Sequence, residues 1–185
     1  MEHYFTRGGD DGLTGLLGKD RVPKYDLHVE VLGSLDELDA WLGLVRSTLR
    51  LEETNTLLLG IQRDLYGLMS AVAAGPEMRE RFPDVRPERT AFLEERIEHY
   101  ANEAGQLDSF VIPGDDQRAA FMDITRTVVR RAERRLAELL AKEPAQTAEG
   151  LRYLNRLSSL CFVLEVWIIR HLDAQEPTQA SPDRF

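Results

Sequence analysis

Apolar residues recur every three to four positions along most of the chain, the spacing that gathers them on one face of an α-helix. Leu35, Leu38, Leu42 and Val45 form the first such stripe. The preceding Ser34-Leu-Asp-Glu37, a serine followed three residues on by glutamate, predicts a capped helix start at Ser34. A second helix is expected over about 54–74, with Leu58, Ile61, Leu65, Leu68 and Val72 as its stripe and Gly75-Pro76 as its end. A third, about 87–103, carries Phe92, Leu93, Ile97 and Tyr100 and stops at Gly105. A fourth, about 116–142, has Phe121, Ile124, Val128, Leu136 and Leu139 along one side. The fifth, about 148–172, is apolar around much of its girth after Leu157, which suggests that a neighbouring subunit covers part of it. No segment alternates convincingly with the period of two that marks a strand. The expectation is an all-α fold, a five-helix antiparallel bundle.

With 185 residues the chain reads as a single domain, 1–185. It divides into an arm over 1–27, a helical bundle over 28–172 and a polar tail over 173–185 that is expected to fray. The net charge of −9 argues against a general nucleic-acid partner, which needs a basic surface. No apolar run approaches the roughly 20 residues that cross a bilayer, so no membrane partner is expected. Met1-Glu2-His3-Tyr4 lacks a secretory pattern, and the single cysteine, Cys161, makes a reducing cytoplasm the default compartment.

Two stretches stand out against this background. The first is the arm segment Thr6-Arg-Gly-Gly-Asp-Asp-Gly-Leu-Thr14, continuing to Gly18. Its glycines let backbone N–H groups converge on an anion, Thr6 and Thr14 add hydroxyl donors, and Arg7 and Lys24 add charge for phosphate oxygens. Asp10 and Asp11 are out of place beside a phosphate unless one of them orients donors or a magnesium shell. A disordered leader would show the same composition. The pattern of the common phosphate loop, G-x-x-x-x-G-K-[ST], is absent. The second stretch is Arg126-Thr-Val-Val-Arg130-Arg131-Ala-Glu133-Arg134-Arg135, in which Arg126, Arg130 and Arg134 fall on one helix face. Such a row repels itself unless an anion or carboxylates sit opposite; a solvated basic face is the alternative.

Asn155, in Tyr153-Leu-Asn-Arg-Leu-Ser158, sits among apolar neighbours, where its amide must bond either a ligand or an adjacent helix. The four histidines are scattered without ligand spacing, so no protein-held metal is expected. Cys161 reads as core, and no serine lies in a nucleophile elbow.

Together these residues resemble the PduO-type ATP:corrinoid adenosyltransferases. The arm from Thr6 to Thr14 with Gly18 and Arg21-Val-Pro-Lys24 is similar to that family's ATP-binding N-terminus. Gly33-Ser-Leu-Asp-Glu-Leu-Asp39, Phe110-Val-Ile-Pro-Gly114, Arg126 to Arg134 and Tyr153 to Ser158 follow in the family's order. The resemblance implies a homotrimer with active sites between subunits. It implies that Mg2+-ATP is held by Thr6, Arg7, Gly8, Gly9, Leu13, Thr14, Lys24, Arg130, Arg131, Glu133, Arg134 and Asn155. Asp36 would pair with Arg126 across the subunit boundary, and Phe110 would pack under the corrin and displace the lower axial ligand of cobalt. Arg130, Arg134 and Phe110 would be the catalytic set in transfer of the 5′-deoxyadenosyl group from ATP to cob(I)alamin. A corrinoid reductase and a B12-dependent enzyme are the implied partners.

The chain departs from the family pattern at Gly8 and Leu13, where threonine is frequent, and at Asp115, where a second glycine is usual. It also carries Ser159 where aspartate is usual and Glu165-Val-Trp167 where small or basic residues are usual. These departures keep a rival in view, a non-catalytic ATP- or corrinoid-binding carrier or sensor. A plain helical oligomer is a third reading, which leaves the arm and the arginine row as coincidences.

Overall fold

A computed structural model describes residues 5, 7–107, 109–143 and 148–180, without the side chains at 19 and 20. It is a bundle of five helices: α1 (Leu27–Leu49), α2 (Glu52–Ala73), α3 (Pro87–Ala104), α4 (Gln117–Lys142) and α5 (Ala148–Leu172). A 3-10 turn, Pro76–Met78, follows α2. α1 packs on α2 and α4, and α5 packs on α3 and α4. Leu35, Leu38, Leu42, Ile61, Leu65, Leu68, Leu93, Leu136, Leu157 and Leu164 fill the space between them.

The first helix begins seven residues before Ser34, because Asp26 caps it. The Asp26 carboxylate accepts a hydrogen bond from the His28 amide at 2.9 Å. Ser34 therefore lies inside the helix, and its hydroxyl donates to the Glu30 carbonyl at 2.9 Å. That bond back to the preceding turn is what lets a serine sit in a helix interior, so the capping-box reading gives way. Gly105 does end α3, at φ 75°, a left-handed conformation that costs glycine nothing.

Two carboxylates start helices that matter for the site. Asp116 accepts from the Arg118 and Ala119 amides at 2.8 and 2.9 Å and opens α4. The start of α5 is capped from far away: Asp84 accepts from the Glu149 amide at 2.8 Å and from the Gly150 amide at 3.1 Å. Inside the bundle, the Tyr153 hydroxyl of α5 donates to Asp64 of α2 at 2.8 Å, and Arg89 of α3 pairs with the same carboxylate at 2.8 Å. Three helices are thus tied at one half-buried ion pair.

Three further expectations change. The broad apolar girth of α5 is covered within the chain by α3 and α4, so it carries no argument for a neighbouring subunit. The arm contains a small antiparallel hairpin, β1 (Leu13–Leu16) with β2 (Lys19–Pro23), despite the lack of a strand period. Its pairing is fixed by anchors outside the strands. Leu17 at its tip donates to the Ala73 carbonyl at 3.0 Å and accepts from Gly75 at 2.8 Å, which seats the hairpin on the end of α2. Beside it Gly18 has φ 67°, and a Cβ there would meet Met78 Cγ at 2.4 Å.

The tail, expected to fray, is pinned as far as it is described. Ile112 donates to the Thr178 carbonyl and Ala180 to the Phe110 carbonyl, each at 2.8 Å. The Thr178 hydroxyl and amide both bond Asp115, at 2.8 and 2.7 Å.

The Asp116 carboxyl has a testable signature. Burial acts to raise it, but Arg118 and the helix amides prevail and hold it at about 2, below its ordinary 3.8. Its contribution is complete above pH 3.8 and is lost as pH falls towards 2. Asp116→Asn should therefore lower stability by about 1–2 kcal/mol at pH 6, with the gap from wild type closing near the folded-state value. Urea midpoints at several pH values read this directly.

Candidate active site

The hairpin gathers the arm residues that the sequence singles out. Leu13 pairs with Pro23 and Thr14 with Val22, so Lys24 emerges beside both, its amide donating to the Gly12 carbonyl at 2.9 Å. Gly9 closes over the lysine: a Cβ at that position would lie 3.0 Å from Lys24 Nζ. Gly8, Gly9, Leu13, Thr14 and Lys24 thus form one cradle of backbone and ammonium. Arg7 stands at its edge with φ 58°, its guanidinium 5.5 Å from the centre of the Phe5 ring. Thr6 lies outside the described residues.

Asp11 is the latch of this cradle. It accepts from the Leu13 amide at 3.1 Å and pairs with Arg21 at 2.7 Å. Arg21 also donates to the carbonyls of Gly8 and Leu13. The Arg21 side chain and the Leu13 amide hold the Asp11 carboxyl below its usual range. Of the roles the sequence left open for the two aspartates, Asp11 takes that of orienting donors.

On α4 the arginines divide into two groups. Arg126 pairs with Asp123 at 2.7 Å, Arg131 with Glu37 of α1, and Arg135 with Glu30 at 3.2 Å and Glu138 at 3.3 Å. Arg130 and Arg134 are exposed and hold no ion pair among the described residues. They are one turn apart on the same face. Glu133 accepts from the Asn155 amide at 2.9 Å, so Asn155 is joined to the row. Asn155 is exposed rather than lodged in the core, because α5 turns that side of its surface outward.

Arg126 and Arg130 reach the wall of a cavity of about 420 Å³, which Phe110, Val111 and Pro113 close from the loop before α4. α5 supplies Ser158, Ser159, Phe162, Val163 and Glu165, and α4 adds Asp123. Phe110 is 84% exposed at the mouth of the cavity. The pinned tail fixes the backbone on either side of it. Cys161 lies behind the cavity in the core, its thiol pushed up to about 12 by burial, which removes it as a nucleophile.

The structure therefore brings Phe110, Arg126 and Arg130 to one cavity, and Glu133 and Asn155 to the adjoining surface. It gives no hydrogen bond or ion pair from Thr14 or Lys24 of the arm to Arg130 or Arg134 among the described residues, although Tyr25, Asp26 and Leu27 at the arm's end share a cleft with Arg135 and Glu138 of α4. Asp36 is likewise exposed on α1 and unlinked to Arg126 within the chain. The sequence already offers Asp123, three residues before Arg126, as a carboxylate that offsets the arginine row, and the pair forms. Sequence reasoning missed the Asp11–Arg21 latch and the hold of Thr178 on Asp115, both of which rest on partners that only the folded chain identifies.

A bundle with an anion cradle on an N-terminal arm, two uncommitted arginines on a helix and an aromatic-mouthed cavity beside them is suited to a large apolar substrate and a polyphosphate. Comparison with known proteins agrees. Residues 4–168 match the family model described as cobalamin adenosyltransferase, so the chain belongs to that family. It is 38% identical over 162 residues to the corrinoid adenosyltransferase of Bacillus subtilis (strain 168), covering 85% of this chain and 82% of that one. It is 40% identical over 160 residues to the cobalamin adenosyltransferase of Cupriavidus metallidurans, covering 86% and 84%. A variant of the PduO-type ATP:corrinoid adenosyltransferase from Lactobacillus reuteri, complexed with cobalamin and ATP, superposes with a TM-score of 0.89 at 29% identity, covering 97% of each chain.

The latch predicts a selective defect. Asp11→Ala should leave the helical bundle folded while loosening the cradle, raising the ATP KM about three- to tenfold. Steady-state kinetics at saturating corrinoid, with circular dichroism as the control for folding, test it.

Proposed function

We propose that this chain is an ATP:cob(I)alamin adenosyltransferase. The observation that carries the reading is the shared cavity, whose wall joins Phe110 to Arg126 and Arg130, while Arg130 and Arg134 have no counter-ion among the described residues. The corrinoid is a substrate of this reaction and brings its own nucleophile. Co(I) attacks C5′ of ATP, the cobalt–carbon bond forms as the C5′–oxygen bond breaks, and the electron pair leaves with triphosphate. The protein needs no base for this step; it orients and neutralises.

Arg130, Arg134, Lys24 and the amides around Gly8, Gly9 and Leu13 meet the charge that grows on the departing triphosphate. Arg7, Thr6, Thr14, Arg131, Glu133 and Asn155 complete the nucleotide site, Glu133 by fixing the Asn155 amide at 2.9 Å. Magnesium fits as the companion of the phosphates. The Asp11 carboxylate is already committed to Arg21 and the Leu13 amide, so phosphate oxygens and water would supply most of its ligands. Phe110 offers an apolar face to the lower side of the corrin, which disfavours an axial ligand there and eases reduction of cobalt.

Because no contact joins Thr14 or Lys24 to Arg130 or Arg134 among the described residues, the complete site is read as lying between subunits of a homotrimer. The arm of one copy meets α4 of the next, and Asp36 approaches Arg126. The arginine can serve both Asp123 and Asp36, since a guanidinium has five N–H donors. The domain forms one unit with its arm, works in the cytoplasm, receives reduced corrinoid from a reductase and passes its product to a B12-dependent enzyme.

Arg130→Ala should lower kcat/KM by about 10²–10³-fold, the scale of losing one pre-positioned donor at a developing charge. Phe110→Ala should depress kcat for the corrinoid while leaving ATP affinity near wild type. Formation of adenosylcobalamin followed in the visible spectrum, with released triphosphate measured alongside, checks both. Corrinoid binding without product in the wild-type protein would favour the carrier reading instead.

A further inference from the structure

The cavity contains an acid that the transfer reaction does not use. Glu165 is 1% exposed and lines the cavity from α5, yet it makes no hydrogen bond or ion pair among the described residues. The nearby guanidinium is already engaged, since Arg126 Nη2 lies 2.7 Å from Asp123. Glu165 and Asp123 thus share a half-enclosed space with the committed Arg126 and the exposed Arg130, and Phe110, Val111, Phe162 and Val163 form its apolar wall. A nearly buried carboxylate in that setting has little water and no partner among the described residues, so the neutral acid is favoured.

We propose that Glu165 is a specificity-determining residue of the corrinoid side of the site, which accepts the corrinoid when its carboxyl is uncharged and disfavours it when ionised. The inference rests on the reading that this cavity receives the lower face of the corrinoid. An apolar macrocycle closing over the cavity removes the remaining solvent from Glu165. The neutral acid tolerates that and can donate a hydrogen bond to the amide side chains at the rim of the corrin. The ionised acid must first take up a proton, so binding couples to protonation.

The groups facing Glu165 set where this happens. Burial pushes its carboxyl up to about 7, Asp123 on α4 and Asp115 in the loop add repulsion, and Arg126 opposes them. Cys161 on α5 stays a thiol and adds no charge in this range. Asp36 of a neighbouring copy, if it shares Arg126, draws that compensation away and moves the carboxyl in the same upward direction. Below its folded-state value Glu165 is neutral and corrinoid binding is independent of pH. Above it the apparent Kd rises about tenfold per pH unit.

The test is titration of the full-length protein with cob(II)alamin in the presence of Mg-ATP, followed in the visible spectrum from pH 6 to 8.5. The wild-type Kd should be flat near pH 6 and rise about tenfold between pH 7.5 and 8.5. Glu165→Gln, which mimics the neutral acid, should bind tightly and evenly across the range. Asp123→Asn removes a repelling charge and frees Arg126, so its rise should begin at lower pH. A flat wild-type curve, an equal rise in Glu165→Gln, or an unmoved rise in Asp123→Asn overturns the proposal and leaves the adenosyltransferase reading standing. Absence of corrinoid binding at every pH overturns both.

Discussion

A triphosphate leaving group carries several negative charges, and a chain with a net charge of −9 has few cations to spare for it. In the proposed site, the arrangement on α4 would meet this constraint by sorting its arginines. Arg126, Arg131 and Arg135 are paired with Asp123, Glu37 and Glu30 and so stiffen the contacts around the helix. Arg130 and Arg134 are left facing outward without a described counter-ion, one turn apart. Of these pairs, the exposed Arg131–Glu37 and Arg135–Glu30 stabilise the fold only slightly. Their larger effect is to fix which guanidinium groups stay available for an anion.

The remaining features arrange themselves around those two charges. Asp11 and Arg21 hold the arm in a shape that gathers amides and Lys24, which would reduce the ordering cost of the proposed nucleotide binding. In the proposed site, the cavity beside Arg130 would bring the apolar partner of the reaction to the same stretch of α4. The tail, bonded to Asp115 and to the Phe110 carbonyl, keeps the aromatic mouth in place. Position and charge are supplied by the protein; the reactive centre belongs to the substrate.

The helices were legible because their stripes are long and regular, and the observed α2, α3, α4 and α5 fall within two residues of the sequence expectation. The start of α1 was not, because a serine and glutamate at the right spacing mimic a cap, whereas Asp26 wins through a turn set by Pro23. The hairpin and the pinned tail escaped for a shared reason. Each is held by contacts such as Leu17 with Ala73 and Thr178 with Asp115, which join residues more than fifty positions apart and leave no local pattern. The site was readable as a set of motifs, and Phe110 with Arg130 proved to share a cavity. The surroundings of Asn155 and Glu165 were not readable, since the side of α5 each one faces depends on how α3 and α4 cover that helix.

The central claim is that an arm from one copy and the arginine row of another enclose the same triphosphate. Mixed oligomers test it most directly. Lys24→Ala and Arg130→Ala chains, each nearly inactive alone, are unfolded together and reassembled. If sites are composite, about a quarter of them in random mixtures combine an intact arm with an intact α4, and adenosylcobalamin formation returns to that fraction of wild type. Activity that stays at the level of the separate variants, in oligomers shown to be mixed, would place arm and arginines within one chain and contradict the account.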